Sequence, residues 1–238
     1  MKVRLDQLMV TKQLVISRSQ AESYIKLGKV TVNGNVITRA GTMVWEDAVI
    51  VLGVTKQYVS RAGMKLASVA EKLKVNFKDK VVLDVGSSTG GFTDYALQHG
   101  AKKSIAVEVG KDQLHPSLHG NPQIELHEQT DIRDFKTTQQ IDIVVADVSF
   151  ISLREILPAV ARLSNKSTQI VAMVKPQFEA YNSSLRHNGV VKNESMRRQI
   201  LKDFEAWAKR NFIIIDKADS DIAGAKGNKE RFYLLKKS

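Results

Sequence analysis

The stretch Val81-Val82-Leu83-Asp84-Val85-Gly86-Ser87-Ser88-Thr89-Gly90-Gly91-Phe92 constrains what the rest of the chain can fold into. Apart from Asp84, Val81 to Val85 are β-branched or leucine, the composition of a strand buried on both faces of a parallel sheet. A small, glycine-rich loop follows, and a helix is predicted to start near Thr93. Glycine at the carboxyl end of such a strand lets a ligand reach the backbone where a Cβ would intervene. The spacing excludes two phosphate-binding loops. A dinucleotide fingerprint reads Gly-x-Gly-x-x-Gly, but Gly86 is followed by Gly90 and Gly91, and Ser88 stands at the second glycine's place. A Walker loop needs Lys-Ser or Lys-Thr after Gly91, and neither is there.

The Asp-x-Gly-x-x-x-Gly-Gly pattern resembles the first motif of S-adenosylmethionine (SAM)-dependent methyltransferases. The resemblance implies that Asp84, Gly86, Ser87, Ser88, Thr89, Gly90, Gly91 and Phe92 form the donor loop, and the donor has no phosphate for a lysine to hold. Glu108 closes the next apolar run, Ile105-Ala106-Val107-Glu108. An acid at the end of the second strand of a doubly wound sheet can accept both ribose hydroxyls. After a weaker strand near Ile124 to His127 comes Asp131-Ile132, where an acid beside the adenine would fit.

Two further apolar runs end in charge. Ile141 to Asp147 predicts a fourth strand ending in an acid, and Ile170 to Lys175 a fifth ending in a lysine, with Pro176 fixing the exit. The carboxyl ends of parallel strands form the ligand edge, so Asp147 and Lys175 are expected beside the donor loop. Lysine at the end of a buried strand is uncommon. Gln177 to Lys192, with Arg186 and His187, reads as a long polar loop that serves as a lid or an RNA clamp. A helix is predicted from about Glu194, then a hairpin of Phe212 to Asp216 and Phe232 to Leu235, with Glu230 just before its last strand.

At the amino end, Leu5, Leu8, Met9 and Leu14 predict a short helix. Ser17 with Gln20 forms a capping box for a second, whose apolar face is Ala21, Tyr24, Ile25 and Leu27 and whose stop is Gly28. Val30 to Ile37 reads as two strands around an Asn33-Gly34 type I′ turn, and Ala48 to Leu52 as another. Arg18-Ser19-Gln20-Ala21 and Gly28-x-Val30-x-Val32-Asn33-Gly34 resemble the S4 RNA-binding domain. The resemblance implies that Arg4, Arg18, Lys26 and Lys29 meet backbone phosphates. The expected organisation is an S4-like domain over 1–53, a linker over 54–58 and a second domain over 59–238, in which Arg61 and Arg186 are further RNA-binding candidates.

Net charge is +11 over 238 residues. Residues 1–60 hold eight Lys and Arg against four acids, a net +4, which leaves +7 for the remainder. That spread suits a protein meeting a polyanion. The longest uncharged stretch, Gln113 to Ile124, has twelve residues, so no transmembrane span is expected, and no apolar segment follows Met1-Lys2-Val3-Arg4 as in a signal peptide. Zero cysteines exclude disulfides and thiolate metal sites, and the five histidines suggest no metal. A cytoplasmic protein is the expectation.

Ser60-Arg61-Ala62-Gly63-x-Lys65-Leu66, the donor loop, Asp147-Val148-Ser149-Phe150-Ile151-Ser152-Leu153, Lys175-Pro176-Gln177-Phe178-Glu179 and Gly227-Asn228-x-Glu230 occur in this order. With the S4 segment they resemble the TlyA or haemolysin A family, which joins an S4 domain to an FtsJ-like ribose methyltransferase with a Rossmann-like α/β sheet. The resemblance implies SAM-dependent 2′-O-methylation of a cytidine in ribosomal RNA by a Lys65, Asp147, Lys175 and Glu230 tetrad. The short ends resemble members that act on the large subunit. Lys111-Asp112, Glu108 and Asp131 depart from the family's usual residues, which bears on the adenosine contacts. Three other functions compete. A membrane-active cytolysin lacks an apolar span, and an S4-containing pseudouridine synthase needs no donor loop. The intact tetrad argues against a ribosome-binding assembly factor with a vestigial SAM site, while the altered Lys111-Asp112 segment leaves that reading open.

Overall fold

The structure, a computed structural model, describes residues 1–54, 56–180, 189–224 and 227–238. They divide into two compact units, Met1–Arg61 and Ala62–Ser238. Residues 54–58 belong to the first of these, where the Gln20 side chain donates to the Tyr58 carbonyl at 2.8 Å.

The first unit is built from β1 (Lys2–Arg4), α1 (Leu5–Thr11), α2 (Arg18–Lys26), β2 (Val30–Val32), β3 (Asn35–Val36), β4 (Met43–Trp45) and β5 (Ile50–Leu52). Strands β3, β2 and β5 form one antiparallel sheet, and β1 pairs with β4. Asn33 and Gly34 take φ of 49° and 81°, the two positive values that a type I′ turn requires. Ser17 Oγ accepts from the Gln20 backbone N–H at 3.2 Å, but Gln20 Oε1 returns to the Ile16 N–H, one residue earlier than a capping box would have it. Leu27 is the exposed cap after α2, not part of its apolar face, and Gly28 at φ 67° reverses the chain.

The second unit contains α3 (Arg61–Ala70), β6 (Val81–Val85), α4 (Gly91–Gln98), β7 (Lys103–Val107), β8 (Ile124–His127), β9 (Ile143–Ala146), α5 (Leu153–Leu163), β10 (Gln169–Val174), α6 (Pro176–Glu179), α7 (Glu194–Ala208), β11 (Phe212–Asp219) and β12 (Arg231–Lys237), with Arg61 itself assigned to the first unit. Its sheet runs β11-β12-β10-β9-β6-β7-β8. Strands β10, β9, β6, β7 and β8 are parallel, and β12 inserts antiparallel between β10 and β11. The chain leaves β6 for β7 and β8 on one side and returns to β9 and β10 on the other. That reversal opens a crevice at the carboxyl ends of β6 and β9. Leu83, Ile105, Val144 and Ile170 are fully buried in the core with Phe204 and Tyr233, each such apolar side chain contributing about 1.5–3 kcal/mol.

Helix α4 starts two residues before Thr93. Gly90, at φ 83°, is its N-cap and has no side chain to cap with. The Asp84 carboxylate reaches over from β6 and accepts the Thr93 backbone N–H at 2.9 Å, satisfying a free donor of the first turn. The expected loop Gln177 to Lys192 begins as the helical turn α6, and residues 181–188, which include Arg186 and His187 and make up half of the expected lid or clamp, lie outside the described residues.

Candidate active site

Two cavities open at the crevice. The larger, about 410 Å³, is lined by residues including Gly86, Ser88, Glu108, Asp131, Asp147 and Ser149. The smaller, about 140 Å³, shares Gly86, Ser88, Asp147 and Ser149 and adds Asp84, Ser87, Thr89, Phe92 and Lys175. Gly86 has to be glycine. At φ 78° a Cβ there would lie 2.8 Å from the Asp147 carbonyl oxygen. Gly90 and Gly91 act by shaping the turn into α4 and are not among the cavity-lining residues.

The smaller cavity fits a charged amino acid moiety. Asp84 Oδ2 accepts from the Thr93 N–H and from Thr93 Oγ1 at 2.7 Å, and Thr93 Oγ1 lies 2.9 Å from Ser104 Oγ. Asp84 Oδ1 and Ser87 Oγ are buried without a hydrogen-bond partner, and both residues line this cavity. Buried polar atoms left unpaired are costly, so an incoming group with N–H donors and an acceptor would satisfy them. Burial pushes the Asp84 carboxyl up to about 7, against the two bonds from Thr93.

The larger cavity fits a nucleoside. Glu108 Oε2 accepts the Ser88 N–H at 2.9 Å and Oε1 the Gly110 N–H at 2.7 Å. Each oxygen keeps a further lone pair for a ribose hydroxyl. Asp131 is not a bare carboxylate. Its Oδ1 accepts from the Arg133 backbone N–H and Nε at 2.8 and 3.0 Å, and its Oδ2 from Nη2 at 2.6 Å, which lowers its pKa. Where the sequence departs from the family at Lys111-Asp112, Glu128 accepts the Asp112 and Gln113 N–H groups, both at 2.8 Å, and Gln113 lines the larger cavity.

Four charged side chains meet as two pairs. Lys65 Nζ lies 2.6 Å from Glu230 Oε2, and Lys175 Nζ 2.6 Å from Asp147 Oδ1. Burial raises the Glu230 pKa, Lys65 opposes it, and the charges of Asp147 and Lys175 also act on it, so the pairs share one electrostatic site. Gly224 makes room for Glu230, since a Cβ there would come 2.7 Å from Oε1.

Several residues that sequence reasoning did not single out hold this centre. Ser149 Oγ accepts from Lys175 Nζ at 2.7 Å. Ser152 Oγ and the Leu153 N–H donate to Glu179, and Asn228 accepts the Val191 N–H and donates to the Gly189 carbonyl. The Asp147–Leu153, Lys175–Glu179 and Gly227–Glu230 motifs carry these ties, but the partners are set by topology. Phe150 stands 87% exposed at the larger cavity with φ 66°, its ring against Phe178.

In the first unit the RNA candidates are unevenly engaged. Arg4 and Arg18 both bind the fully buried Asp6 carboxylate at 2.9 Å. Lys26 pairs with Glu22, Lys29 is exposed, and Arg61 donates to Ser19 Oγ. Among the described residues no helix is long and apolar enough to cross a membrane.

Residues 58–237 match the FtsJ-like methyltransferase family, and residues 3–50 match the S4 domain. The chain is 36% identical over 249 residues to the 23S rRNA (cytidine-2′-O)-methyltransferase TlyA of Campylobacter jejuni, covering 96% of this chain and 98% of that one. It is 33% identical over 241 residues to the 16S/23S rRNA (cytidine-2′-O)-methyltransferase TlyA of Mycobacterium tuberculosis, covering 99% of this chain and 90% of that one. A solved structure of a haemolysin-named protein of Streptococcus thermophilus superposes with a TM-score of 0.73 at 35% identity, covering 100% of this chain and 89% of that one.

Proposed function

Because the chain belongs to the FtsJ-like methyltransferases that carry an S4 domain, the TlyA or haemolysin A family, we propose that it transfers a methyl group from SAM to a cytidine 2′-hydroxyl of ribosomal RNA in the cytoplasm. The large subunit is the favoured substrate. Residues 1–53 dock on the RNA, with Arg4, Arg18, Lys26 and Lys29 at its phosphates and Arg61 and Arg186 assisting, and residues 59–238 carry the chemistry. Glu108 and Asp131 hold the donor's adenosine, the loop from Gly86 to Phe92 encloses it, and Asp84 with Ser87 takes its amino acid end.

The observation that carries this reading is the Lys175–Asp147 pair at 2.6 Å, where the two cavities meet. When bound, the sulfonium donor supplies an electrophilic methyl group. A ribose hydroxyl is a poor nucleophile, so the protein has to orient it and hold its proton. Lys175 Nζ, as the neutral amine after releasing a proton to water, receives that proton, Asp147 balances the ammonium so formed, and the Lys65–Glu230 pair holds a second cation beside the oxygen. Phe150, exposed at the mouth, offers a ring on which the target base stacks.

Radiolabelled SAM with separate, unmodified large and small subunits tests this. Label is expected in large-subunit RNA with the wild type and in neither with Lys175→Ala, which still binds SAM. Turnover by Lys175→Ala removes that lysine from the chemistry, and a wild type that binds no SAM overturns the function.

A further inference from the structure

Lys175 has two polar neighbours that do different work. Asp147 Oδ1 lies 2.6 Å from Nζ and supplies the opposite charge. Ser149 Oγ, 2.7 Å away, is aligned and accepts an N–H. The Nζ of a lysine turns freely about its last bond unless a directional acceptor holds one of its N–H groups. Ser149 is also one of four residues that line both cavities. It is solvent-exposed, whereas Lys175 is buried.

We infer that Ser149 is the positioning residue of the reaction centre, fixing Lys175 Nζ so that its remaining direction faces the ribose hydroxyl. This rests on the proposed role of Lys175. Nζ acts as the neutral amine, its extra proton released to water beforehand: one N–H is donated to Ser149 Oγ and the lone pair faces the ribose hydroxyl. The hydroxyl O–H breaks as its proton passes to that lone pair, the oxygen's electron pair goes to the new bond to the methyl carbon, the electrons of the bond that the methyl leaves stay with the donor, and the Ser149 hydroxyl keeps its own proton throughout. Asp147 bears the compensating charge, and Lys65 with Glu230 completes the charged surroundings.

Single-turnover methyl transfer to unmodified ribosomal subunits, SAM titration and thermal melting are compared for the wild type, Ser149→Ala, Ser149→Thr and Lys175→Ala. Ser149→Ala is expected to slow transfer about ten- to a hundredfold with SAM affinity and melting unchanged, and Ser149→Thr, which keeps an acceptor, to recover most of the rate. A wild-type rate in Ser149→Ala, a loss explained by weaker SAM binding or lower melting, or no recovery in Ser149→Thr overturns the inference. Turnover by Lys175→Ala overturns the parent reading, whereas an inactive Lys175→Ala beside a fully active Ser149→Ala overturns only the role of Ser149.

Discussion

Ser152 Oγ donates to Glu179 Oε2 at 2.7 Å, joining the segment after β9 to the turn after β10. Asp147 and Lys175 begin those same two segments, so the tie also restrains the 2.6 Å ion pair. Glu179 is buried, and its other oxygen accepts the Leu153 N–H at 2.7 Å. Glu179→Gln places an amide N–H against one of these donors. The expected cost is about 1–3 kcal/mol in urea unfolding, with methyl transfer falling more than SAM affinity.

Asp84 titrates at about 7 because it is buried. A folded pKa above the unfolded value favours the protonated native state, so its stabilising contribution is complete below pH about 4 and is lost as pH rises through about 7. The carboxylate is the form that attracts the donor's ammonium. SAM affinity, by calorimetry from pH 6 to 8, is expected to rise with pH in the wild type relative to Asp84→Asn. Taking the ratio at each pH cancels the donor's own titration.

Phe150 pairs an exposed ring with a φ of 66°, a conformation bulky residues rarely adopt. Phe150→Ala should change stability by no more than about 0.5 kcal/mol and leave SAM binding intact. Loss of one stacked base is worth about 1–3 kcal/mol, so methyl transfer to RNA should fall roughly tenfold or more, with Phe150→Trp active.

Asp6 gathers Arg4 and Arg18, and its carboxyl is held at about 2, chiefly by the bond from Arg4. A depressed folded pKa gives stability that is present above pH about 4 and lost as pH falls through about 2. Asp6→Asn is expected to flatten that acid limb in urea titrations. It should also weaken RNA binding about as much as Arg18→Ala, with the double variant little worse, since both changes disperse one arginine cluster.

The order of strands, the donor loop, the Asn33-Gly34 turn and the charged ends at Asp147 and Lys175 were legible because each is written locally, as an apolar run, a glycine spacing or a turn dipeptide. Strands β1 and β4 were not, since each is three residues long and, unlike β2 beside its Asn-Gly turn or β5 within the apolar run Ala48 to Leu52, has no turn dipeptide or longer apolar run to mark it. The partners of Ser149, Glu179 and Asn228, which the motifs contain, and of Arg133, which they do not, escaped for another reason. Glu179 sits 26 residues from the Leu153 N–H it accepts, and Asn228 accepts from Val191, 37 residues away. Such partners lie on loops and turns outside the strands and meet only once those segments are placed in space. The start of α4 was misplaced because Asp84, on another element, does the capping that Gly90 cannot.

Strand β12 lies inside the sheet between β10 and β11, and Glu230 immediately precedes it. The strand that fills the place beside β10 is therefore made well after β10 itself, with α7 and β11 between them in the chain, and Lys65 meets its counter-charge only when that strand docks. Closing the sheet and completing the charged cluster are one event, so a change that keeps β12 from docking removes the Lys65–Glu230 pair altogether instead of loosening it.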